Sequence, residues 1–294
     1  MLEQEELVEE ILLRIPPDDP ANLLRAALVC KRWRRLVSAL AFRRRFLELH
    51  RAPPMLGLFA GNNFVSTSSF RTLALRFTKW RNVVDARHGR VLLRAGDSKC
   101  KAAFAVWDPI MRELKELPLL MIPRSVIRSH GRPNAALLCA SSATAAGACN
   151  HIGCQIGPFL VVLVGFGFSY VYSSEAGAWT GPLFAGGNNH HDCYLSSAPS
   201  VLLGNALYFM VYESEFNHRF GINNAFLKYD LGTGEMCRVS LPPSLSKHHT
   251  VLMAAKDGEL YGCLGRSGPC STCGRWRLLA LPTMVWDMDT EENH

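Results

Sequence analysis

Two cysteines near the end of the chain have the spacing of zinc ligands. Cys270 and Cys273 form a Cys-Ser-Thr-Cys sequence, and such a CxxC pair can supply two thiolates to a tetrahedral metal site. A structural zinc ion needs four ligands, however, and the sequence has no second CxxC pair. Cys263 lies nearby without an obvious histidine beside it. We therefore interpret Cys270 and Cys273 as reduced thiols in a loop.

Three other groups contain metal-binding side chain types without the spacing of a known metal motif. They are His190, His191 and Cys193; the pair His248 and His249; and Cys149, His151 and Cys154. The last group lies in a stretch rich in Ala, Ser and Gly, which is typical of an irregular insertion. The sequence therefore predicts neither a metal site nor a cofactor.

The sequence motifs of common enzymes are also missing. The glycines of VGFGFSY, at Val164–Tyr170, lack the GxGxxG order and the following helix that a dinucleotide site uses to hold phosphate. The sequence contains no GxSxG elbow, no HExxH pair and no Walker lysine motif. We therefore expect a protein that works by binding rather than by catalysis.

The first fifty residues have the apolar spacing of helices. The first helix is predicted from apolar residues at steps of four, one and four, with acidic residues toward its start, where the helix dipole favours them. These apolar residues are Leu7, Ile11, Leu12 and Ile15. Pro16 and Pro17 end the helix. Asp19 and Pro20 then suit the N-cap and first position of a second helix, which carries Leu23 and Leu24.

The stretch LVCKRWRRL, at Leu28–Leu36, is predicted to form a third, amphipathic helix. Its apolar residues share one face, and basic residues occupy the other sides. The face consists of Val29, Trp33, Leu36, Val37 and Leu40, and the basic residues are Lys31, Arg32, Arg34 and Arg35. Phe42, Phe46 and Leu49 extend the helical pattern to about His50, and Pro53 and Pro54 close it. So small a unit buries only about 60% of its unfolded surface, so an apolar face is left for a partner.

The order of these features resembles the F-box, the module that docks substrate receptors onto ubiquitin ligases. The resemblance runs from Leu2 to about Phe46. Its specific parts are EEILLRIPP at Glu9–Pro17, the pair Leu23 and Leu24, VCKRW at Val29–Trp33, and the aromatic Phe42. F-box sequences usually open with Leu-Pro, whereas Leu2 is followed here by Glu3. We therefore expect a weakened first contact with the partner.

The resemblance implies a partner and a set of residues that bind it. The partner is the Skp-family adaptor and, through it, the cullin and RING subunits of an SCF-type ubiquitin ligase. The residues assigned to the adaptor face, or to the core beneath it, are Leu7, Ile11, Leu12, Pro16, Leu24, Val29, Cys30 and Trp33. Ordinary core packing is the alternative for each of them.

Beyond Pro54, short β-branched and aromatic runs alternate with Gly, Asn and Asp turns, which is typical of β-structure. Two hairpin patterns recur, each in three segments. The first occurs at Asp85–Arg94, Leu202–Val211 and Ala254–Leu264, and the second at Phe104–Pro118, Tyr170–Pro182 and Phe226–Pro243. These pairs resemble the blades of a kelch-like propeller, in the manner of plant F-box proteins with an F-box-associated domain.

The predicted fold class is therefore an α+β multidomain protein. A three-helix F-box at residues 1–50 precedes a mostly antiparallel β domain at 51–286, an irregular or incomplete β-propeller with about four blades, and a flexible tail at 287–294. Four blades are few for radial closure.

Composition narrows the classes of function. Hydrophobic residues make up 48% of the 294 residues and charged ones 19%, which predicts a folded chain. The net charge is +7, but seven basic residues fall between Lys31 and Arg45, so a solvated helix face or an acidic partner is favoured over nucleic acid.

The longest dense apolar run, Pro158–Phe168, is too short to span a membrane as a helix, so no membrane partner is expected. The ten cysteines then suit a reducing compartment, the cytosol or nucleus.

The leading hypothesis is a substrate-recognition subunit that holds an unidentified target protein through its β domain. Two alternatives remain open. One is a propeller-like enzyme or small-ligand binder to which the helices form a cap. The other is a basic helical nucleic-acid-binding module.

Overall fold

The chain divides into two compact units, residues 1–78 and 79–294, in a computed structural model. The described residues are 2–16, 20–50, 57–60, 63–66, 79–96, 100–109, 111, 113–124, 126, 132–140, 154, 157–184, 193–213, 222–240, 249–254 and 260–265. The predicted tail at 287–294 and the pair Cys270 and Cys273 lie outside these ranges. The first unit contains the helices and one hairpin, and the second contains the remaining described strands.

Four helices form in the first unit, where the sequence predicted three. They are α1 (Leu2–Leu13), α2 (Pro20–Val29), α3 (Lys31–Ser38) and α4 (Leu40–His50). No described helix combines the length and the apolar character that a membrane span requires.

The predicted single helix through Leu28–Leu36 is wrong, because Cys30 interrupts it. Cys30 has an extended backbone (φ −156°, ψ 165°), and its Sγ accepts a hydrogen bond from the Trp33 N–H at 3.4 Å. A residue that caps a helix start in this way cannot also continue the preceding helix. Val29 therefore ends α2 while Trp33 lies in α3, and the two do not share one helix face.

A second interruption separates α3 from α4. Ala39 is also extended (φ −65°, ψ 137°), and its N–H donates to the Leu36 carbonyl at 3.1 Å. Leu40 therefore starts α4 and does not extend the apolar face of α3, as the sequence had suggested.

The helical unit has a small core. Its buried residues are Leu12, Leu13, Ala26 and Phe42, and Val8, Ile15, Leu23, Trp33, Leu36, Val37 and Phe46 pack against them. Contacts between α1 and α4 close this core. The His50 ring, through Nε2, lies 2.8 Å from the Leu13 carbonyl oxygen, and Arg45 on α4 forms an ion pair with Glu9 on α1 at 2.8 Å.

The described strands of both units are antiparallel. Strands β1 (Gly57–Ala60) and β2 (Asn63–Ser66) pair in the first unit. In the second unit, sheet 1 has the order β3-β4-β5-β6 with β7 beside β5, sheet 2 the order β11-β10-β9-β8, and sheet 3 the order β12-β14-β15-β16 with β13 beside β14. Strands β17 and β18 form a further pair.

The strand bounds of sheet 1 are β3 Trp80–Arg87, β4 Arg90–Ala95, β5 Lys101–Asp108, β6 Glu113–Glu116 and β7 Leu120–Met121. Those of sheet 2 are β8 Asn134–Cys139, β9 Phe159–Gly165, β10 Phe168–Ser173 and β11 Ala178–Phe184. Those of sheet 3 and the last pair are β12 Cys193–Leu195, β13 Val201–Leu203, β14 Ala206–Glu213, β15 Ile222–Asp230, β16 Met236–Ser240, β17 His249–Ala254 and β18 Leu260–Gly265.

All six predicted hairpins are confirmed by the strand pairing. They are β3–β4, β13–β14 and β17–β18 for the first pattern, and β5–β6, β10–β11 and β15–β16 for the second. The turn between β3 and β4 shows why such turns can be recognised from sequence. His88 and Gly89 both have positive φ, 54° and 74°, as a two-residue type I′ turn requires.

The sheets of the second unit stack on one another in chain order. One core lies between sheets 1 and 2 and contains Val84, Leu92, Phe104 and Leu137. The next lies between sheets 2 and 3, and residues alternate along β8 so that Ala136 and Leu138 face it. Sheet 2 is therefore covered on both faces, which explains why every residue of β8 is buried.

Polar side chains connect the first strands of successive sheets. Asp85 on β3 accepts a hydrogen bond from the Leu137 N–H on β8 at 2.9 Å. Asn134 on β8 donates from Nδ2 to the carbonyls of Ser196 and Ala198, both at 2.8 Å, in the segment between β12 and β13. Arg87 on β3 also donates to Ser200, just before β13. These bonds fix the first strands of sheets 1, 2 and 3 near one another.

Candidate functional site

Helix α1 is apolar on two sides, and only one side faces the core. Leu7 is 66% exposed and Ile11 57% exposed, whereas Leu12 is 1% exposed. Leu7 and Ile11 are four residues apart and share a face. A face made of two large apolar side chains that the chain itself leaves uncovered can bind an apolar surface of another protein.

Helix α2 repeats this arrangement. Leu24 and Leu28, again four residues apart, are 67% and 82% exposed, and Val29 is also exposed. Leu28 was not among the predicted site residues. Its spacing of four from Leu24 is the signal that could have identified it, but the sequence interpretation assigned Leu28 to the following helix.

The predicted site residues separate into exposed and buried groups. Leu7, Ile11, Pro16, Leu24, Val29 and Cys30 are exposed. Trp33 is half-buried and packs on the helical core. Leu12 lies inside that core, where 1% of its surface is exposed, in agreement with the core position that the resemblance left open for it. Leu12 packs in the core on a different side of α1 from the exposed residues.

Helix α4 adds exposed apolar residues that the sequence interpretation missed as site candidates. Leu40 and Leu49 are both exposed. Phe42 on the same helix is buried in the core. No spacing rule separates these roles in advance, because both kinds of residue are apolar in the sequence.

Helices α3 and α4 also carry exposed basic residues. Lys31, Arg32, Arg34 and Arg35 are exposed, as the amphipathic pattern predicted. Arg45 forms ion pairs with two residues of α1: its Nη1 lies 2.8 Å from Glu9 and its Nη2 lies 3.5 Å from Glu10. An arginine paired with two carboxylates offers little charge to a nucleic acid.

Two cysteines of the groups that the sequence suggested lie in the described part of the second unit. Cys193 lies in the core between sheets 2 and 3. Cys154 lies with His88 and Cys139. Cys149, His151, His190, His191 and His248, together with the side chain of His249, lie outside the described part of the chain.

Comparison with known proteins identifies the helical unit. The family model of the F-box domain matches residues 5–45, close to the span that the sequence motifs indicated. No curated protein matches the chain.

The solved structures that match the chain include one of low similarity. It is a protein provisionally assigned as a 6-phosphogluconolactonase from Bacteroides fragilis NCTC 9343, with 11% sequence identity, coverage of 72% of this chain and 73% of that chain, and a TM-score of 0.30. A similarity of this size supports no inference about fold or activity.

The match assigns a class to the helical segment. Residues 5–45 are an F-box domain. F-box domains bind Skp-family adaptors, and the proteins that carry them are generally non-catalytic.

Proposed function

We propose that this chain is the substrate-recognition subunit of an SCF-type cullin-RING ubiquitin ligase. The single observation that carries the proposal is the uncovered apolar face of α1, Leu7 and Ile11, within a segment that matches the F-box domain. Truncating large apolar side chains at the centre of an interface commonly costs the most binding energy. The adaptor would cover this face together with Leu24, Leu28 and Val29 of α2.

The β unit is the proposed target-binding part. We infer that its sheets are blades of an irregular or incomplete kelch-like propeller of the plant F-box-associated type. Two observations support this inference. Sheets 1 and 2 each follow a four-stranded path of neighbouring antiparallel strands, and β14, β15 and β16 continue it in sheet 3. The first strands, which line the centre of a propeller, are also connected by Asp85 and Asn134.

In this proposal the chain performs no bond chemistry. The helical unit binds the adaptor, the β unit binds a target protein, and an enzyme elsewhere in the complex transfers ubiquitin. The contribution of the chain is a raised local concentration of a target lysine near that enzyme. We place this work in the cytosol or nucleus, as an expectation from composition alone.

Adaptor binding is the direct test. The purified full chain is titrated with the Skp-family adaptor by calorimetry, and the double variant Leu7→Ala, Ile11→Ala is compared with the wild type. If each truncation costs about 1–2 kcal/mol of binding free energy, the dissociation constant of the double variant should rise by about thirtyfold or more. Met111→Ala is the matched control, since Met111 is an equally exposed apolar residue of the second unit.

Two results would contradict the proposal. One is a wild-type chain that does not bind the adaptor. The other is a double variant that binds as tightly as the wild type while circular dichroism shows an unchanged helix content.

The target can be identified by comparing the proteins that co-purify with the wild-type chain and with the double variant from cells in which the proteasome is inhibited. The wild-type chain and the Leu7→Ala, Ile11→Ala variant should retain the same target, because both have an intact β unit. Only the wild type should promote ubiquitination of that target. A protein captured equally by an isolated F-box segment would instead be an adaptor-side partner.

A further inference from the structure

Three side chains with metal-binding atoms meet in the β unit. The ligand atoms of His88, Cys139 and Cys154 all lie within 4.8 Å of one another. Both cysteines are buried, and neither is in a disulfide. His88 as a whole is half-buried, but its Nε2 atom is buried. Among the described residues this is the one such group of three.

The fold brings these residues together from distant parts of the sequence. His88 lies in the turn between β3 and β4 of sheet 1, and Cys139 ends β8 of sheet 2. Cys139 follows Ala135 and Leu137 at steps of two, and both of these face the core shared with sheet 1. Cys139 therefore lies on the side of sheet 2 that faces the turn containing His88.

Cys154 reaches the same place because the connection between β8 and β9 ends close to where it begins. Cys139 pairs with Phe159 in the strand register, and the Ala140 N–H donates to the Pro158 carbonyl at 3.0 Å. The Gly157 N–H donates to the Cys154 carbonyl at 3.2 Å, which holds Cys154 next to this closure. Sheet 1 is joined here as well, since Arg90 donates to the Gly157 carbonyl at 2.7 Å.

His88 has a left-handed backbone conformation. Its φ is 54°, in a region that few residues other than glycine enter, although asparagine, aspartate and histidine enter it more often than most. The first position of a type I′ turn is usually Asn, Asp or Gly. A histidine in this region is a reason to look for a function of its side chain.

We propose that His88, Cys139 and Cys154 bind a zinc ion. Two thiolates and one imidazole are ligands that zinc prefers, at about 2.3 Å for sulfur and about 2.0–2.1 Å for nitrogen. A tetrahedral ion with these bond lengths separates its ligands by about 3.5–3.8 Å. With ligand atoms within 4.8 Å of one another, the cluster needs to contract by about 1.3 Å at most. Binding would release the two thiol protons to solvent, since zinc binds cysteine as the thiolate.

The ion would cross-link the first turn of sheet 1 to the start and end of the long β8–β9 connection. Three protein ligands leave the fourth coordination position to water or to a group from another molecule. Because the unfolded chain lacks the site, zinc should stabilise the β unit. This inference concerns the β unit and does not depend on adaptor binding.

Metal content of the full chain is the first measurement. The chain, purified under reducing conditions and without a histidine tag, is stripped with chelator, reloaded with zinc and analysed by elemental mass spectrometry, and a parallel sample receives cobalt for absorption spectra. We expect one zinc per chain and a thiolate-to-cobalt charge-transfer band. The melting temperature of the zinc-loaded β unit should fall when chelator is added.

Three variants and one control assign the ligands. His88→Asn keeps a residue type that tolerates positive φ, so the turn should be preserved while the imidazole is lost. Cys139→Ser and Cys154→Ser each remove one thiolate. Loss of a residue that only hydrogen-bonds to a metal ligand weakens metal binding by roughly 10–100-fold. Loss of a ligand itself should weaken zinc binding by more than that. Cys237→Ser, an exposed cysteine outside the cluster, should bind zinc as the wild type does.

The proposal fails if the reduced wild-type chain takes up no zinc at micromolar concentration. It also fails if His88→Asn and both serine variants retain wild-type stoichiometry and affinity. A Cys139–Cys154 disulfide, detected by alkylation and peptide mass mapping in a chain that binds no zinc, would overturn it in favour of a redox pair. His88→Asn keeps the test decisive even if a serine variant fails to fold.

Discussion

The two units of the molecule differ in how far they bury their large apolar residues. Three of the four short helices leave such residues exposed, whereas the stacked sheets bury residues such as Leu92, Phe104 and Phe226 completely. A sheet can be covered on both faces by its neighbours, but four helices in about fifty residues cannot cover all of their sides. The β unit also exposes apolar residues, among them Met111 and Phe184, so the exposed face of α1 indicates a binding surface because it lies within the F-box domain.

The largest loss of stability should come from truncating a buried side chain in the core between sheets 1 and 2. Phe104→Ala removes a fully buried ring from this core, and such a change typically costs about 3–5 kcal/mol. Chemical unfolding followed by tryptophan fluorescence measures the loss. Adaptor affinity should not change, because the exposed apolar residues proposed to bind it belong to the other unit.

Met111→Ala is the control for this prediction, since Met111 is exposed and its truncation should change stability by less than about 0.5 kcal/mol. Loss of adaptor binding in a folded Phe104→Ala chain would contradict this prediction, because it would show that the two units act as one.

A similar contrast should exist within α1. Leu12→Ala removes a core residue and should cost about 2–5 kcal/mol of helical stability, whereas Leu7→Ala should cost little because Leu7 is mostly exposed. The effects on adaptor binding should be the reverse once both variants are folded. Thermal unfolding monitored by circular dichroism, followed by calorimetry with the adaptor, measures both. Equal destabilisation by the two changes would mean that α1 has no separate binding face.

The hairpins of the β unit could be predicted because each depends on neighbouring residues. A positive-φ pair such as His88 and Gly89, placed between alternating apolar residues, specifies a reversal without reference to the rest of the chain. The stacking order of the sheets could not be predicted from the sequence in the same way. It depends on which face of β8 meets sheet 1, and both faces of that strand are apolar.

The helix boundary at Cys30 and the cluster around His88 could not be read from the sequence for two different reasons. At Cys30 the apolar spacing continues unbroken from Val29 to Trp33, so periodicity alone predicts one helix where a cysteine side chain caps a new one. Cysteine is not among the residues that usually signal a helix start. His88 and Cys139 are far apart in sequence and come together only through the packing of sheet 1 on sheet 2.

The buried carboxyl of Asp85 offers a pH-dependent test of the polar connections between sheets. Burial raises the pKa of Asp85 above its ordinary value of 3.8, against the opposing effects of the Arg87 guanidinium and the backbone N–H groups of Leu137 and Ala86. The folded chain thus holds this proton more tightly than the unfolded chain. The contribution of Asp85 to the free energy of unfolding is fully present below about pH 3.8 and is lost as pH rises through the raised pKa.

Asp85→Asn removes this titration. We expect the free energy of unfolding of the wild type, measured relative to Asp85→Asn, to fall with rising pH by about 1.4 kcal/mol for each unit of pKa shift. Urea unfolding at a series of pH values measures the difference. A difference that grows with pH would show that the ion pair with Arg87, whose Nε lies 3.2 Å from Asp85 Oδ2, outweighs burial.

The smallest effect should come from the ion pairs that join α1 to α4. Arg45→Ala removes contacts to Glu9 at 2.8 Å and to Glu10 at 3.5 Å. Because Arg45 is more than half exposed, the loss should be only about 0.2–1 kcal/mol, and it should shrink further in high salt. Arg44→Ala, which removes a neighbouring exposed arginine, is the control in a thermal unfolding series at low and high salt. A loss as large as that of Leu12→Ala would mean that charge pairs, rather than the apolar core, hold α1 in place, and the exposed face of Leu7 and Ile11 would then depend on Arg45 for its position.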